Sequence, residues 1–246
     1  MERMKVLSID FDYFIDATPE QTGFFPDGGR EMGDSLNRIV WAINYATAKV
    51  NGVMMNEIHA DMKKLLQVRE ILAACPSCPR MIADSHVHAH DFILEHLKDG
   101  QTATIYNLDF HHDTYAHGDQ DLNCGNWLLR LILENKTDKV FWVNRHDSAS
   151  SGKEKSIQRL PFKNLPRKDY DLIYICRSGW WTPPTLDNAF IRTLVKPTIK
   201  EAATVRIERG IDQSRDNTEF RDAVASFYEV QKNIETMPEL SHGENL

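Results

Sequence analysis

The sequence lacks the features that would place a chain in or across a membrane. It contains no run of about eighteen apolar residues, so we expect no transmembrane helix. Its first residues, MERMKVLSIDFDYF, do not follow the charged-then-apolar layout of a signal peptide. Cysteine is scarce, with 4 residues in 246, and without a signal peptide these are expected to be reduced thiols. The sequence therefore predicts a cytoplasmic protein.

An excess of basic residues is also absent. Lysine and arginine number 29 against 36 acidic residues, which gives a net charge of −7. We therefore expect neither nucleic acid nor a membrane surface as a partner, and a cationic partner fits better. No shift in composition marks a boundary, so a single domain over residues 1–246 is expected, with a flexible C-terminal dozen. The sequence leaves a homo-oligomer open.

Short apolar runs alternate with helical patterns along the chain. The predicted strands are Met4–Phe11, Arg80–Ala83, Thr102–Phe110, Lys139–Asn144 and Asp171–Arg177. The predicted helices are Ser35–Val50, Glu57–Ala74, His90–Lys98, Asn126–Glu134, Pro184–Leu194 and Asn217–Ile234. Continuous apolar runs are typical of strands covered on both faces, so the pattern predicts an α/β fold with a mostly parallel sheet flanked by helices.

Two of the predicted helices carry a marked apolar face. In the helix from Ser35 the apolar side chains on one face are Leu36, Ile39, Val40 and Ile43. In the helix from Asn217 they are Phe220, Ala223, Val224 and Phe227.

The placement of histidine is the most informative feature of the composition. Eight of the 10 histidines are His86, His88, His90, His96, His111, His112, His117 and His146. Histidine and aspartate clustered in this way point to a metal site. The most specific segment is Asp109–Asp113, DFHHD. In an extended chain Asp109, His111 and Asp113 project to one side and can converge on one centre.

Two other segments carry similar residues at the ends of predicted strands. Ser8–Asp12, SIDFD, places two aspartates two residues apart, a pattern that either caps a turn or binds metal. Asp84–His90, DSHVHAH, adds three alternating histidines, of which one or two are expected to be ligands. In open α/β sheets ligands gather beyond the carboxyl ends of the strands, where these segments fall.

Together the candidates supply four aspartates and one or two histidines. This set has too many oxygen atoms for a structural zinc site and suits manganese or a similar octahedral ion. Two ions about 3.5–4 Å apart can share a bridging water and lower its pKa.

Two further features stand near the predicted strands. Cys75 and Cys78 have C-x-x-C spacing without a second pair, and we assign them no role. Trp180 and Trp181 follow the last predicted strand, at the same edge of the sheet as the acidic clusters. They form either ordinary packing or an aromatic wall for a peptide or the alkyl stem of a cation.

These motifs resemble the metal-binding signatures of the arginase and agmatinase ureohydrolases. SIDFD is similar to their S-F-D-x-D, and DFHHD is similar to their D-A-H-x-D. DSHVHAH stands where that family has G-G-D-H-S, with one metal-binding histidine just before a helix. The resemblance implies an arginase-like three-layer fold with two Mn²⁺ per subunit. The order of the motifs is permuted, because S-F-D-x-D comes last in ordinary arginases.

The resemblance also implies a ligand set and a bridging role for two residues. The implied metal ligands are Asp10, Asp12, His88, Asp109, His111 and Asp113, with His86 as the alternative to His88. Asp10 and Asp109 would bridge the two ions. His88 is preferred because the predicted helix begins immediately after it.

Departures from the family pattern concern the substrate. Cys124–Trp127 echoes the family's S-G-N, but Leu128 stands where arginases have a proton-shuttling histidine. Tyr115 replaces the asparagine that grips the α-carboxylate of free arginine. In these respects the sequence resembles the peptide arginases of natural product biosynthesis, which convert arginine to ornithine in ribosomally made precursor peptides. The expected reaction is attack of a metal-bridging hydroxide on the guanidinium carbon, with release of urea.

Other residues are candidates for proton transfer and for substrate binding. The proton-transfer candidates are His112, His117 and His146, the last with Asp147 placed to orient it. The substrate-binding candidates are Tyr115, Asn126, Trp180 and Trp181.

Alternative functions remain open at this point. A small-molecule ureohydrolase of the agmatinase or arginase type, or another binuclear amidohydrolase, would use the same ligands. DSHVHAH is also similar to the D-x-H-x-H of amidohydrolases with a β/α barrel, but too few residues follow His86 to complete a barrel. A metal-stabilised binding protein without turnover is the alternative outside the enzymes.

Overall fold

A seven-stranded parallel sheet forms the centre of the protein. The computed structural model describes residues 3–26, 34–116, 121–148 and 156–235. The strands of this sheet are β1 (Arg3–Asp10), β4 (Arg80–Ala83), β5 (Thr102–Leu108), β6 (Thr137–Val143), β7 (Gln158–Arg159), β8 (Leu172–Cys176) and β9 (Val205–Ile207). Their order is β7-β6-β5-β1-β8-β4-β9, and every pairing is parallel. The prediction of an α/β fold with a mostly parallel sheet is confirmed.

The helices cover both faces of this sheet. Their bounds are α1 (Pro19–Thr22), α2 (Asp34–Val50), α3 (Met62–Ala73), α4 (His88–His96), α5 (Trp127–Leu133), α6 (Asp187–Phe190), α7 (Lys196–Glu201) and α8 (Thr218–Glu235). A small antiparallel pair joins β2 (Ile15–Asp16) to β3 (His59–Ala60). Among the described residues no helix is long and apolar enough to cross a membrane.

Alternation along the strands explains the three layers. In β1, Val6 enters the core beneath α4 and α5, whereas Leu7 enters the core beneath α2 and α3. Successive side chains of a strand point to opposite faces, so a continuous apolar run supplies both cores at once. The five predicted strands are present with small changes at their ends.

The differences from the predicted elements lie where tertiary contacts decide the structure. The predicted helix Glu57–Ala74 is interrupted, because β3 pairs with β2 before α3 begins. Asp61 starts α3 by accepting a hydrogen bond from the backbone nitrogen of Lys64 at 3.0 Å. The predicted helix Pro184–Leu194 is a 3₁₀ turn followed by α6, a π-helical turn and α7. Residues 236–246 of the predicted flexible terminus lie outside the described residues.

The strand order brings four carboxyl ends together at one edge of the sheet. β1 pairs with β5 on one side and with β8 on the other, so that Ile9 aligns with Leu108 and Asp10 with Cys176. β4 lies on the far side of β8, with Ala83 aligned with Cys176. The segments that follow β5, β1 and β4 therefore meet at a single place.

Candidate metal centre

The turn after β1 directs two aspartates toward this edge. Asp10 is the last residue of β1, and its Oδ1 accepts a hydrogen bond from the backbone nitrogen of Asp12 at 3.0 Å. This contact caps the 3₁₀ turn Phe11–Phe14 and bends the chain directly after the strand. Both carboxylates are buried. The D-x-D segment thus caps a turn and lies in the candidate site at the same time.

One part of the site is organised around His86. Its Nδ1 lies 3.1 Å from Asp10 Oδ2, 3.3 Å from Asp109 Oδ2 and 3.2 Å from Asp113 Oδ2. All four side chains are nearly inaccessible to solvent. On the opposite side of the ring, Nε2 is 2.6 Å from Ser8 Oγ. Nδ1 of His86 thus lies close to one oxygen atom of each of three carboxylates.

The second part of the site contains His111. Its Nδ1 lies 2.9 Å from Asp12 Oδ2 and 3.9 Å from Asp109 Oδ1. Asp109 therefore presents Oδ2 to the His86 group and Oδ1 to the His111 group. A carboxylate shared in this way joins the two groups into one site.

These residues converge by a different path from the one that an extended chain implies. β5 ends at Leu108, and the chain then turns, with the backbone nitrogen of His111 donating to Asp109 Oδ1 at 2.7 Å. Asp113 adopts a positive φ of 51°, a left-handed conformation that aspartate tolerates better than most residues. The turn places Asp113 on the His86 side and His111 on the other.

The arrangement has the chemistry of a cation site. His86 Nδ1 is buried and aligned for no hydrogen bond, although three carboxylate oxygens lie within 3.3 Å of it. Burying four carboxylates together is costly unless a positive charge accompanies them. Two groups of the site, Asp12 with Asp109 and His111, and His86 with Asp109 and Asp113, can each hold a metal ion. Cys176 belongs to a third such group, with Asp10 and His86.

Crowding of like charges shifts the pKa values of the carboxyl groups. Burial and the charge of Asp12 raise the pKa of Asp10 to about 7. Burial and the neighbouring carboxylates raise the pKa of Asp109 well above its usual range. Burial would also raise the pKa of Asp113, but contact with His86 outweighs it and holds that pKa low. Without metal, the cluster therefore retains protons that aspartates normally lose.

Burial alone would lower the pKa values of the two imidazoles, but the neighbouring carboxylates raise them. Burial would lower the pKa of His86, but the adjoining carboxylates outweigh it and raise that pKa well above its usual value. For His111 the hydrogen bond and charge of Asp12 likewise overcome burial and raise the pKa to about 9. In the metal-free protein both rings are cations at neutral pH and partly balance the carboxylates.

His88 is not part of this cluster, contrary to the preferred ligand assignment. β4 ends at Ala83, and α4 begins at His88, which is exposed. The alternation that puts residues i and i+2 on one side holds only in a strand, and it ends in the turn between them. His86 lies within that turn and points inward, so the alternative assignment is the one that the geometry supports.

The proton-transfer candidates make their described contacts away from the cluster. His112 is buried, its Nδ1 accepts from the backbone nitrogen of Thr114 at 3.1 Å, and its ring stacks on Tyr115. The His146 side chain is 94% exposed. Asp147 Oδ1 lies 3.8 Å from its Nδ1, and both carboxylate oxygens of Asp147 also bind Arg145, at 2.8 and 2.6 Å. His117 lies outside the described residues.

Among the described contacts of the substrate-binding candidates, that of Trp181 reaches a candidate ligand. Its ring centroid lies 5.2 Å from that of His111. Trp180 is buried and lines a separate hollow of about 300 Å³ beside α2. Asn126 closes its own loop, since its Oδ1 accepts from the backbone nitrogen of Asn123 at 2.8 Å. Tyr115 packs on the ring of His112, with centroids 4.0 Å apart.

Several supporting residues escaped the sequence analysis. Trp127 Nε1 donates to Asp113 Oδ2 at 2.7 Å, and Asn107 Nδ2 donates to Asp109 Oδ2 at 3.0 Å. Ser8 contacts His86. It lies two residues before Asp10 on β1, and this spacing predicts that both side chains point to the same face of the strand. No local sequence pattern identifies Trp127 as a partner of Asp113, because the contact arises only when the first turn of α5 packs beside the site.

A buried network of ion pairs holds the loop that carries Trp181. Arg215 donates to both carboxylate oxygens of Asp187, at 2.9 and 2.6 Å, and to the carbonyl of Gly179 at 2.6 Å. Arg177 Nε donates to Asp84 Oδ1 at 2.5 Å. A Cβ at Gly179 would lie 2.5 Å from both Asp84 Oδ1 and Arg215 Nη1, so this position has no space for a side chain.

Comparison with known proteins adds no relative to this description. No protein-family model, curated protein or solved structure matches the chain. The fold and the geometry define an α/β protein with a buried aspartate–histidine site that can hold a metal ion.

The two neighbouring histidines provide a direct test of the site. We expect His86→Ala to reduce the metal retained after gel filtration by half or more, because it removes the nitrogen that faces three carboxylates. The matched variant His88→Ala changes an exposed residue and should retain the wild-type metal content. The metal content of each variant is measured by elemental mass spectrometry and compared with that of the wild type. Equal retention by the wild type and His86→Ala would contradict the geometry.

The metal-free protein should lose stability as the pH rises. Asp10 has a folded pKa of about 7 against 3.8 ordinarily, and His111 about 9 against 6.5. Between the ordinary and the folded pKa, the folded state binds more protons than the unfolded state, so the free energy of unfolding falls with increasing pH. We expect a lower urea midpoint at pH 9 than at pH 6 in chelator-treated protein, and a smaller difference in His111→Gln.

Saturating divalent metal serves as the control for this titration. A bound ion replaces the protons, so the loss of stability toward pH 9 should shrink or reverse. A metal-free midpoint that rises between pH 6 and pH 9 would contradict the charge arrangement.

Proposed function

We propose that this protein is a binuclear manganese hydrolase that converts arginine side chains of a precursor peptide to ornithine and urea. The observation that carries the proposal is Asp109, which presents one carboxylate oxygen to His86 and the other to His111. A carboxylate placed in this way can bind one ion with each of its oxygen atoms and so hold two ions next to each other. Asp10 contacts His86 and directly follows Ile9, the residue that pairs with Leu108 across β1 and β5, so it is the second candidate bridge.

Manganese is favoured by the chemistry of the donor atoms. Four carboxylates and two imidazoles make an oxygen-rich set with some nitrogen, which suits octahedral ions better than the tetrahedral sites of structural zinc. Two such ions, when bound, supply Lewis acidity and lower the pKa of water, so that a nucleophile is available at neutral pH.

The surrounding residues orient the ligands. If Nδ1 of His86 binds an ion, Nε2 carries the proton and can donate it to Ser8 Oγ, 2.6 Å away, which would hold the ring in place. Trp127 and Asn107 donate to Asp113 and Asp109. These donors leave the ligands little freedom to turn away, so the chain presents them already aligned.

The aromatic residues beside His111 suit a guanidinium group. Phe110 and Trp181 both lie next to that ring, with centroids 5.1 and 5.2 Å away. Phe110 already has the Arg145 guanidinium over its face at 5.4 Å. Trp181, which is half-buried, is therefore the ring on which a substrate guanidinium can stack.

Two positions support a peptide rather than a free amino acid as the substrate. Leu128 is completely buried in the core, and Tyr115 is packed on His112. Neither provides a charge for the α-carboxylate or the α-amino group of free arginine, whereas a peptidyl arginine has neither charge. The net charge of −7 also favours approach of a cationic peptide.

The principal test is a product assay. We expect manganese-loaded protein incubated with an arginine-containing peptide to release urea and to lower the peptide mass by CH₂N₂ for each arginine converted. Asp109→Asn should abolish both signals, because the amide cannot serve two ligand groups as a charged bridge. His88→Ala is the matched control and should remain active. Tight metal binding without urea from any arginine compound would instead indicate a metal-stabilised binding protein.

A comparison of substrates tests the choice of peptidyl arginine. The expected kcat/KM for an acetylated, amidated arginine peptide is at least tenfold higher than for free arginine, since neither Tyr115 nor Leu128 offers a partner for the zwitterion. Trp181→Ala should raise KM for the peptide more than it lowers kcat. Comparable kcat/KM for free arginine or agmatine would assign the protein to the small-molecule ureohydrolases.

A further inference from the structure

Helices α2 and α8 expose the apolar faces that their sequences predict. On α2 the exposed side chains are Leu36 at 46%, Ile39 at 43% and Ile43 at 36%. On α8 they are Phe220 at 40% and Phe227 at 67%. Residues three and seven apart share one side of a helix, so each set forms a stripe. A periodic apolar stripe normally marks the buried side of a helix, yet the described residues of one chain leave these stripes uncovered.

The two stripes belong to one surface. Lys49 of α2 pairs with Glu229 of α8 at 2.8 Å, and the Arg221 guanidinium lies 4.8 Å above the ring of Tyr45. Ile39 and Phe220 line the same groove of about 250 Å³ between the helices. We call these five exposed side chains, together with the groove, the α2–α8 face.

The size of the α2–α8 face matches the apolar centre of a dimer interface. With about 150–250 Å² for a large side chain, the five residues expose about 350–580 Å² of apolar surface. A stable interface buries about 800 Å² per partner, of which about 65% is apolar in homodimers. The exposed apolar area is therefore close to what one copy would contribute.

Charge favours a second copy of the same chain as the occupant. Among the described side chains, those of α2 carry only positive charge, from Arg38 and Lys49. Among the described side chains of α8, three are acidic, those of Glu219, Asp222 and Glu229, and one is basic, that of Arg221. Lys49 and Glu229 already pair within each chain. In a two-fold arrangement, Arg38 of one copy can face Glu219 and Asp222 of the other, and these opposite charges then meet twice.

We propose that the α2–α8 face is the interface of a symmetric homodimer, with α2 of each protomer packed against α8 of its partner. The apolar stripes form the centre of the interface, and the charged residues lie around it. The candidate metal centre lies at the carboxyl edge of the sheet and is not part of this face.

Analytical ultracentrifugation of the whole 246-residue chain tests the proposal. Protein concentrations of about 1–100 µM reveal dimers with dissociation constants in or below the micromolar range. The wild type should sediment as a dimer at the upper end. Ile39→Glu and Phe227→Glu should each raise the dissociation constant at least about tenfold, since a charge then lies within the apolar centre. Leu133→Glu is the matched control, an exposed apolar residue of α5 on the opposite face of the sheet, and should sediment like the wild type.

Circular dichroism of each variant verifies that the fold is retained. A wild type that remains monomeric throughout the concentration range would overturn the proposal. So would a dimer that both Ile39→Glu and Phe227→Glu leave as stable as the wild type, because association would then involve another surface.

Discussion

Repulsion among four buried carboxylates is the constraint on which the candidate site depends. Asp10, Asp12, Asp109 and Asp113 lie within one cluster, and His86 and His111 can together contribute at most two positive charges. Some negative charge must then be relieved by retained protons or by a bound cation. The raised pKa values of Asp10 and Asp109 express the first solution. The inward orientation of His86 Nδ1 suits the second solution, a bound cation.

The parallel sheet explains how residues far apart in the chain come to share this charge. β1 lies between β5 and β8, with β4 next along, so four carboxyl ends lie side by side. Loops at this edge carry the polar groups, whereas the strand interiors supply two apolar cores. A rigid scaffold of this kind allows a charged cluster to persist, because the cores stabilise the fold independently of it.

Much of this arrangement could be predicted from periodicity and motif spacing. The long apolar strands were recognisable, and so were five of the six residues that cluster at the candidate site, since both signals are local. The choice between His86 and His88 was not, because it depends on where the strand ends and the helix begins. β7 and β9 are short edge strands of two and three residues, without a continuous apolar run. Arg215 and Asp187 pair across 28 positions, so only the folded chain reveals their contact.

The close packing at Gly179 has an evolutionary consequence. Because any Cβ there would collide with Asp84 and Arg215, the backbone path of the loop is tied to three charged residues at once. A new path would require several simultaneous replacements, each of which alone would leave a buried charge without its partner. The side chain at position 181 is under no such restriction. Single exchanges of Trp181, whose ring lies against His111, can therefore alter the surface beside that histidine on a backbone that stays the same.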